Sequence, residues 1–221
     1  MRGHQLGQLK PYQVALQWNR IGKALQRSGW EEHHNFWKEH QASMKVLIDH
    51  TINTANDFDG RATATATHSM AKILSLTAAT SMLRKSSRVQ YLWKILLICT
   101  VKLLQSEDKL NPQDISNLCW AYAKVGLGHV DMRILDLLIE GATQSIADFK
   151  PQALANTVWA FATLNHEAPA LFDTIAAASQ SSIADFKPQE LANTAWAFAI
   201  VDFNESSILA SPNSPFIQAI I

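Results

Sequence analysis

One fourteen-residue phrase occurs twice in this chain, as Phe149-Lys-Pro-Gln-Ala-Leu-Ala-Asn-Thr-Val-Trp-Ala-Phe-Ala162 and, 37 residues later, as Phe186-Lys-Pro-Gln-Glu-Leu-Ala-Asn-Thr-Ala-Trp-Ala-Phe-Ala199. A period of that length belongs to stacked arrays of small supersecondary units, each burying its apolar face against its neighbours. Aligning the chain on proline and aromatic positions gives five units: first helices begin near Pro11, Gly60, Pro112, Pro151 and Pro188, with Asn19, His68, Trp120, Trp159 and Trp196 at the matching position. The last intervals, 39 and 37, form the true period; the earlier ones, 49 and 52, carry insertions such as Arg84-Lys-Ser-Ser-Arg88. The expected organisation is a short N-terminal segment, 1–10, followed by units at 11–57, 58–110, 111–149, 150–186 and 187–221.

Each unit reads as two helices. Proline suits the first helical position and keeps the residue before it extended, so Phe-Lys-Pro marks a helix start; Asn111-Pro-Gln-Asp114 adds a cap and an acidic first turn. Leu154, Ala155, Val158, Trp159 and Ala162 recur at three- and four-residue steps, as do Leu191, Ala192, Ala195, Trp196 and Ala199. Second helices are expected over Phe36–Asn53, Val89–Gln105, Met132–Ile146 and Pro169–Ile183, with a stub from Pro215. The apolar run Leu92-Trp-Lys-Ile-Leu-Leu-Ile-Cys should lie in the middle of the stack. No segment alternates with period two, so the fold expected is all-α, an α-solenoid of about five helix pairs. Ile221 falls inside an incipient helix, so a fragment with an uncapped apolar end, prone to self-association, is expected.

The chain has 19 basic and 19 acidic residues, unevenly spread: residues 1–110 carry 15 and 8, residues 111–221 carry 4 and 11. The two cysteines, Cys99 and Cys119, stand in apolar helical contexts that suit buried thiols better than a disulfide framework. The longest apolar stretch, Ile95–Val101, is far short of the ~20 residues that span a bilayer. The short polar piece Arg2–Lys10 is neither an apolar signal core nor an Arg/Ser-rich presequence, as expected of a fragment.

Three polar columns bear on function. The Trp120, Trp159 and Trp196 column offers a surface for stacking bases, but its place on the apolar stripe assigns it to the core. Opposite that stripe stand Asn117, Asn156 and Asn193, with Asp114, Ala153 and Glu190 one turn earlier. Asparagine inside a helix costs a few tenths of a kcal/mol relative to alanine. Its recurrence fits either a hydrogen-bond ladder between units or one amide per unit presented to a base edge, tuned by the variable neighbour. Lys10, Lys150 and Lys187 precede the prolines, and Lys109 sits two residues before Asn111-Pro; at helix N-termini such cations suit phosphates, although Asp59 interrupts the column.

Other chemistry finds little footing. His33 and His40 are two turns apart, about 10 Å along a helix, too far to share a metal, and read as part of a solvated face. Cys119 and His129 are not placed together by any pattern. No phosphate loop, zincin helix or nucleophile elbow occurs, and neither catalysis nor a cofactor is expected.

The phrase Phe-x-Pro-Gln-x-Leu-Ala-Asn-x-x-Trp-Ala-Phe-Ala, with Leu110-Asn-Pro-Gln-Asp-Ile-Ser-Asn-Leu-Cys-Trp-Ala-Tyr-Ala-Lys124 and Thr67-His-Ser-Met-Ala-Lys-Ile73, resembles the helical repeats of RAP-domain proteins, relatives of octotricopeptide and FAST-kinase-like organellar proteins. The resemblance is specific over about 110–201 and looser over 9–75, where Asn19, Gly60 and His68 depart from it. It implies a solenoid that binds single-stranded RNA in mitochondria or chloroplasts and acts in RNA processing, stability, ribosomal RNA maturation or translation, with other proteins of a processing complex as further partners. The C-terminal RAP domain of that family has no counterpart in this sequence. The alternative expectation is a protein-interaction solenoid whose oppositely charged halves meet a partner.

Overall fold

The computed structural model describes residues 9–76, 80–106, 110–126 and 132–204, and every regular element among them is helical. The chain divides into two compact units, Met1–Leu110 and Asn111–Ile221.

In the first unit α1 (Pro11–Arg27), α2 (Trp30–Thr54), α3 (Gly60–Ser75), α4 (Thr80–Lys85) and α5 (Ser87–Leu104) follow in order, with a 3-10 turn at Ala55–Asp57. Helix α1 lies along α3, while α2 and α5 form a second layer behind them. The second unit contains α6 (Pro112–Val125), α7 (Met132–Ser145), α8 (Pro151–Leu164), α9 (Pro169–Ser181) and α10 (Pro188–Asn204). Here α6, α8 and α10 lie side by side, and α7 and α9 back them. Each unit is thus a two-layered stack of helix pairs. Helix α2 starts six residues before Phe36, and the inserted polar stretch supplies the end of α4 and the start of α5. The stub expected from Pro215 lies outside the described residues.

A repeated local device fixes each first helix. Before α3, α8 and α10 the chain makes a 3-10 turn, then buries Phe58, Phe149 or Phe186 immediately before the cap residue. Leu110 takes this place before α6. An apolar residue just outside the cap, matched by Thr63, Ile115, Leu154 or Leu191 at the fourth helical position, is the arrangement of a hydrophobic staple and sets the angle at which the chain enters the helix. Gly60 replaces proline at the head of α3, where an added Cβ would run into the Leu110 side chain. At their far ends α6 and α8 stop at equivalent residues with positive φ, Gly126 (90°) and Asn165 (49°). In the second case Asn165 N–H donates to Ala162 O and His166 N–H to Phe161 O, a Schellman-type closure.

Small residues let the first helices lie close together. The fifth and twelfth residues of each are small: Ala15 and Gly22, Ala64 and Ala71, Ser116 and Ala123, and Ala155 and Ala162 are buried, while Ala192 and Ala199, on the last described helix, are exposed. The large side chains point to the second layer: Tyr122, Phe161 and Phe198, all at the eleventh helical position, are no more than 2% exposed. The Leu92–Cys99 run lies in the second layer of the first unit, with Leu92, Trp93, Leu96 and Cys99 buried but Ile98 41% exposed.

Candidate functional site

The surface of each unit that faces away from its second layer is formed by the second, sixth, ninth and thirteenth residues of the first helices. These positions lie within a narrow sector of an α-helix, at 100° per residue. None of their side chains is buried. In the second unit α6 presents Gln113, Asn117, Trp120 and Lys124; α8 presents Gln152, Asn156, Trp159 and Thr163; α10 presents Gln189, Asn193, Trp196 and Ile200. In the first unit α1 presents Tyr12, Leu16, Asn19 and Lys23, and α3 presents Arg61, Thr65, His68 and Lys72.

The tryptophan column is therefore not core. Trp120 and Trp159 are half-buried, and Trp196 is 43% exposed. Three residues separate each asparagine from its tryptophan, so amide and indole share one face instead of lying on opposite ones. Trp18 of α1, one residue earlier in its helix, is buried instead: that offset turns the ring by 100° into the first unit, where its Nε1–H donates to Thr51 Oγ1 at 2.9 Å. In the second unit Lys124 extends over two rings, its Nζ 5.5 Å from the Trp120 centroid and 4.8 Å from that of Trp159. This distance is within cation–π range.

Of the amides, Asn117 Oδ1 accepts from Gln113 Nε2 at 3.2 Å. Asn156 and Asn193 are half-exposed with no hydrogen-bond partner among the described residues. The column one turn earlier serves the helix starts. Asp114 is 3% exposed; its N–H donates to Asn111 Oδ1 at 3.0 Å, and its carboxylate accepts from the Asn111 amide. Ala153 is buried, and Glu190 Oε2 accepts from Lys187 N–H at 2.8 Å. Glu190 thus caps a backbone N–H at the start of α10, while the buried Asp114 carboxylate is held by the side chain of the capping residue Asn111.

Lys10, Lys150 and Lys187 are exposed cap residues at the N-terminal edges of α1, α8 and α10, off the amide–indole face. Exposed Asp148 and Asp185 stand two residues before Lys150 and Lys187, offsetting their charge. Lys109 lies outside the described residues. Sequence reasoning missed the cations on the face itself: Lys23, Arg61, Lys72 and Lys124. The four-residue step from Trp120 to Lys124, and from His68 to Lys72, was the signal that placed them there. Burial and then the neighbouring Lys23 ammonium lower the pKa of Lys72, and burial together with Lys72 pushes His68 down to about 4. His68 is neutral at physiological pH.

Other groups have local roles. His33, expected on a solvated face, is 7% exposed and hydrogen-bonds through Nε2 to Leu25 O at the end of α1. His40 is exposed against Phe36. Among the described residues no three His, Cys, Asp or Glu side chains converge as a metal site. Cys119 is fully buried beside Thr157, and burial pushes its thiol up to about 12; His129 lies outside the described residues. No described helix is long and apolar enough to cross a membrane.

No family model and no solved structure matches the chain. Among curated proteins, a RAP domain-containing protein, chloroplastic, from Oryza sativa subsp. japonica is 33% identical over 61 residues, which are 28% of this chain and 10% of the relative. The chain spans about a tenth of that relative's length, and its relationship to RAP-domain proteins rests on this shared stretch.

Proposed function

We propose that this chain is a non-catalytic helical-repeat protein that binds single-stranded RNA in an organelle and acts in transcript processing, stability or ribosomal RNA maturation, together with other proteins of a processing complex. The observation that carries the reading is the sorting of charge by helix face. Across five first helices the outward positions hold Lys23, Arg61, Lys72 and Lys124 and no carboxylate, although the chain has as many acidic as basic residues. In the second unit the exposed carboxylates Asp136, Glu140 and Asp173 stand on second-layer helices, and Asp148, Glu167 and Asp185 in the turns between helices. Overall neutrality thus does not argue against a polyanionic ligand: in each unit the outward face of the first helices excludes acid. The rice relative, named as chloroplastic and RAP domain-containing, supports the organellar and RNA-related parts of the reading.

Filter binding of single-stranded organellar RNA to the 221-residue chain tests it. Substituting Asn156→Ala with Asn193→Ala is expected to weaken binding roughly 5- to 100-fold and to relax sequence preference, as loss of base-edge contacts does. Unchanged affinity and preference would remove base reading by these amides. Lys23→Ala with Lys72→Ala should weaken all sequences alike and reduce the slope of log affinity against log salt by roughly 1.4, the single-strand value for two phosphate contacts. An unaltered slope would take both lysines off the RNA path.

A further inference from the structure

We infer that Trp120, Trp159 and Trp196 form a ladder of stacking platforms for the bases of single-stranded RNA, an inference that rests on the RNA-binding reading above and gives it a contact mode. Among the described residues the other tyrosine and phenylalanine rings of the second unit are buried: Tyr122, Phe161, Phe172 and Phe198 are at most 2% exposed, Phe149 and Phe186 at most 8%. Among the described residues of this unit, only the ninth position of the first helices leaves a tryptophan, tyrosine or phenylalanine ring open to water, half-buried at Trp120 and Trp159 and 43% exposed at Trp196. Burying such a ring is worth about 1.5–3 kcal/mol, so a core use would have turned at least one of them inward, as the one-residue offset does for Trp18. Their repeated exposure marks a surface built for a ligand with flat apolar faces.

The position of Lys124 shows how these rings are presented. A cation attracted by the quadrupole sits over a ring face, and Lys124 Nζ lies within 5.5 Å of two centroids, which keeps the rings no further than about 10 Å apart. A base arriving on an indole displaces the ammonium from the ring and leaves it free to turn to the adjoining phosphate. One turn before two of the indoles stand Asn156 and Asn193, whose amides offer donor and acceptor to a base edge.

Charge complementarity selects the occupant. A peptide ligand for aromatic cages, an arginine-rich or methylated-lysine segment, needs carboxylates to balance its cations. The twelve outward residues of α6, α8 and α10 include none, and their one charged side chain is a lysine. Flat faces, neutral amides and a single cation fit bases carried on a phosphodiester chain. With only Lys124 to neutralise phosphate, this face should draw its affinity from stacking more than from counterion release.

The test compares a short oligoribonucleotide with an abasic strand of the same length and charge, both bound to the full 221-residue chain. The intact chain is expected to prefer the base-bearing strand by at least about 30-fold; Trp159→Ala with Trp196→Ala should remove at least about 30-fold from that affinity and leave the abasic strand unaffected, while Trp159→Phe with Trp196→Phe keeps most of the preference. Equal binding of the two strands by the intact chain overturns the inference without using a variant. Tight RNA binding that survives the double alanine substitution overturns stacking and leaves RNA binding in place. Failure to bind either strand, with peptide binding that the same substitutions abolish, overturns both readings.

Discussion

Replacing Phe161 by alanine is expected to destabilise the second unit by about 3–5 kcal/mol, the cost of emptying a well-packed aromatic site. The ring is 1% exposed at the eleventh position of α8, the helix that touches both α6 and α10. In a stack whose stability is a sum of unit and nearest-neighbour terms, a loss in the middle helix weakens two interfaces at once. Against a typical domain stability of about 5–15 kcal/mol this is severe, and with a urea m-value of about 1–3 kcal/mol/M the midpoint should fall by on the order of 2 M. Trp159 supplies the control. It is the larger ring, two residues away in the same helix, yet it is only partly buried, so Trp159→Ala should cost less. Urea unfolding followed by far-ultraviolet circular dichroism measures both. Equal destabilisation would mean that Trp159 is core after all and would withdraw the indole ladder.

That pair of residues also shows where the sequence was legible and where it was not. The starts of all five first helices could be read from Pro11, Gly60, Pro112, Pro151 and Pro188, because proline and its preceding residue have few backbone options. Periodicity likewise marked Leu154 and Val158 as buried. It erred at Trp159, since a residue next to Val158 is only 100° away and a broad apolar stripe absorbs it by composition. Two signals opposed that assignment. Trp159 and Phe161 are 200° apart and cannot both face the second layer, and Trp159 is three residues from Asn156, which places it on the amide face.

Other misreadings have equally specific causes. Asp114, Ala153 and Glu190 vary because the third helical position tolerates any residue that caps or leaves the cap to others; two of them hydrogen-bond the helix start. The turn that brings α2 back onto the end of α1 and buries His33 has no signature in the charged, polar pattern around it. The cations Lys23 and Lys72 escaped notice because they recur at the thirteenth position only in the two degenerate repeats and α6, whereas the column before the prolines follows a visible motif.

Acid should weaken the first unit through His68, and the sign follows from its pKa of about 4 against an ordinary 6.5. Burial is the larger cause and the Lys72 ammonium the second, both disfavouring the imidazolium in the folded state. Above pH 6.5 the ring is neutral whether the chain is folded or not, and stability is whole. Between pH 6.5 and about 4 the unfolded chain takes up a proton that the folded chain refuses, so stability falls with falling pH; below about 4 the loss is complete, at up to about 3 kcal/mol. His68→Gln removes the titration while keeping a polar side chain, and denaturation at a series of pH values should show its stability flat across that window relative to wild type. A parallel decline in both proteins would mean that His68 does not titrate there. The same group links stability to binding. Because His68 is uncharged at neutral pH, the cationic character of the α1 and α3 face rests on Lys23, Arg61 and Lys72, and a bound phosphate beside Lys72 relieves the repulsion that lowers the pKa of both Lys72 and His68. RNA should therefore raise the His68 pKa and protect the first unit against acid, an effect that a titration by nuclear magnetic resonance reads directly at the imidazole and that Lys72→Ala abolishes.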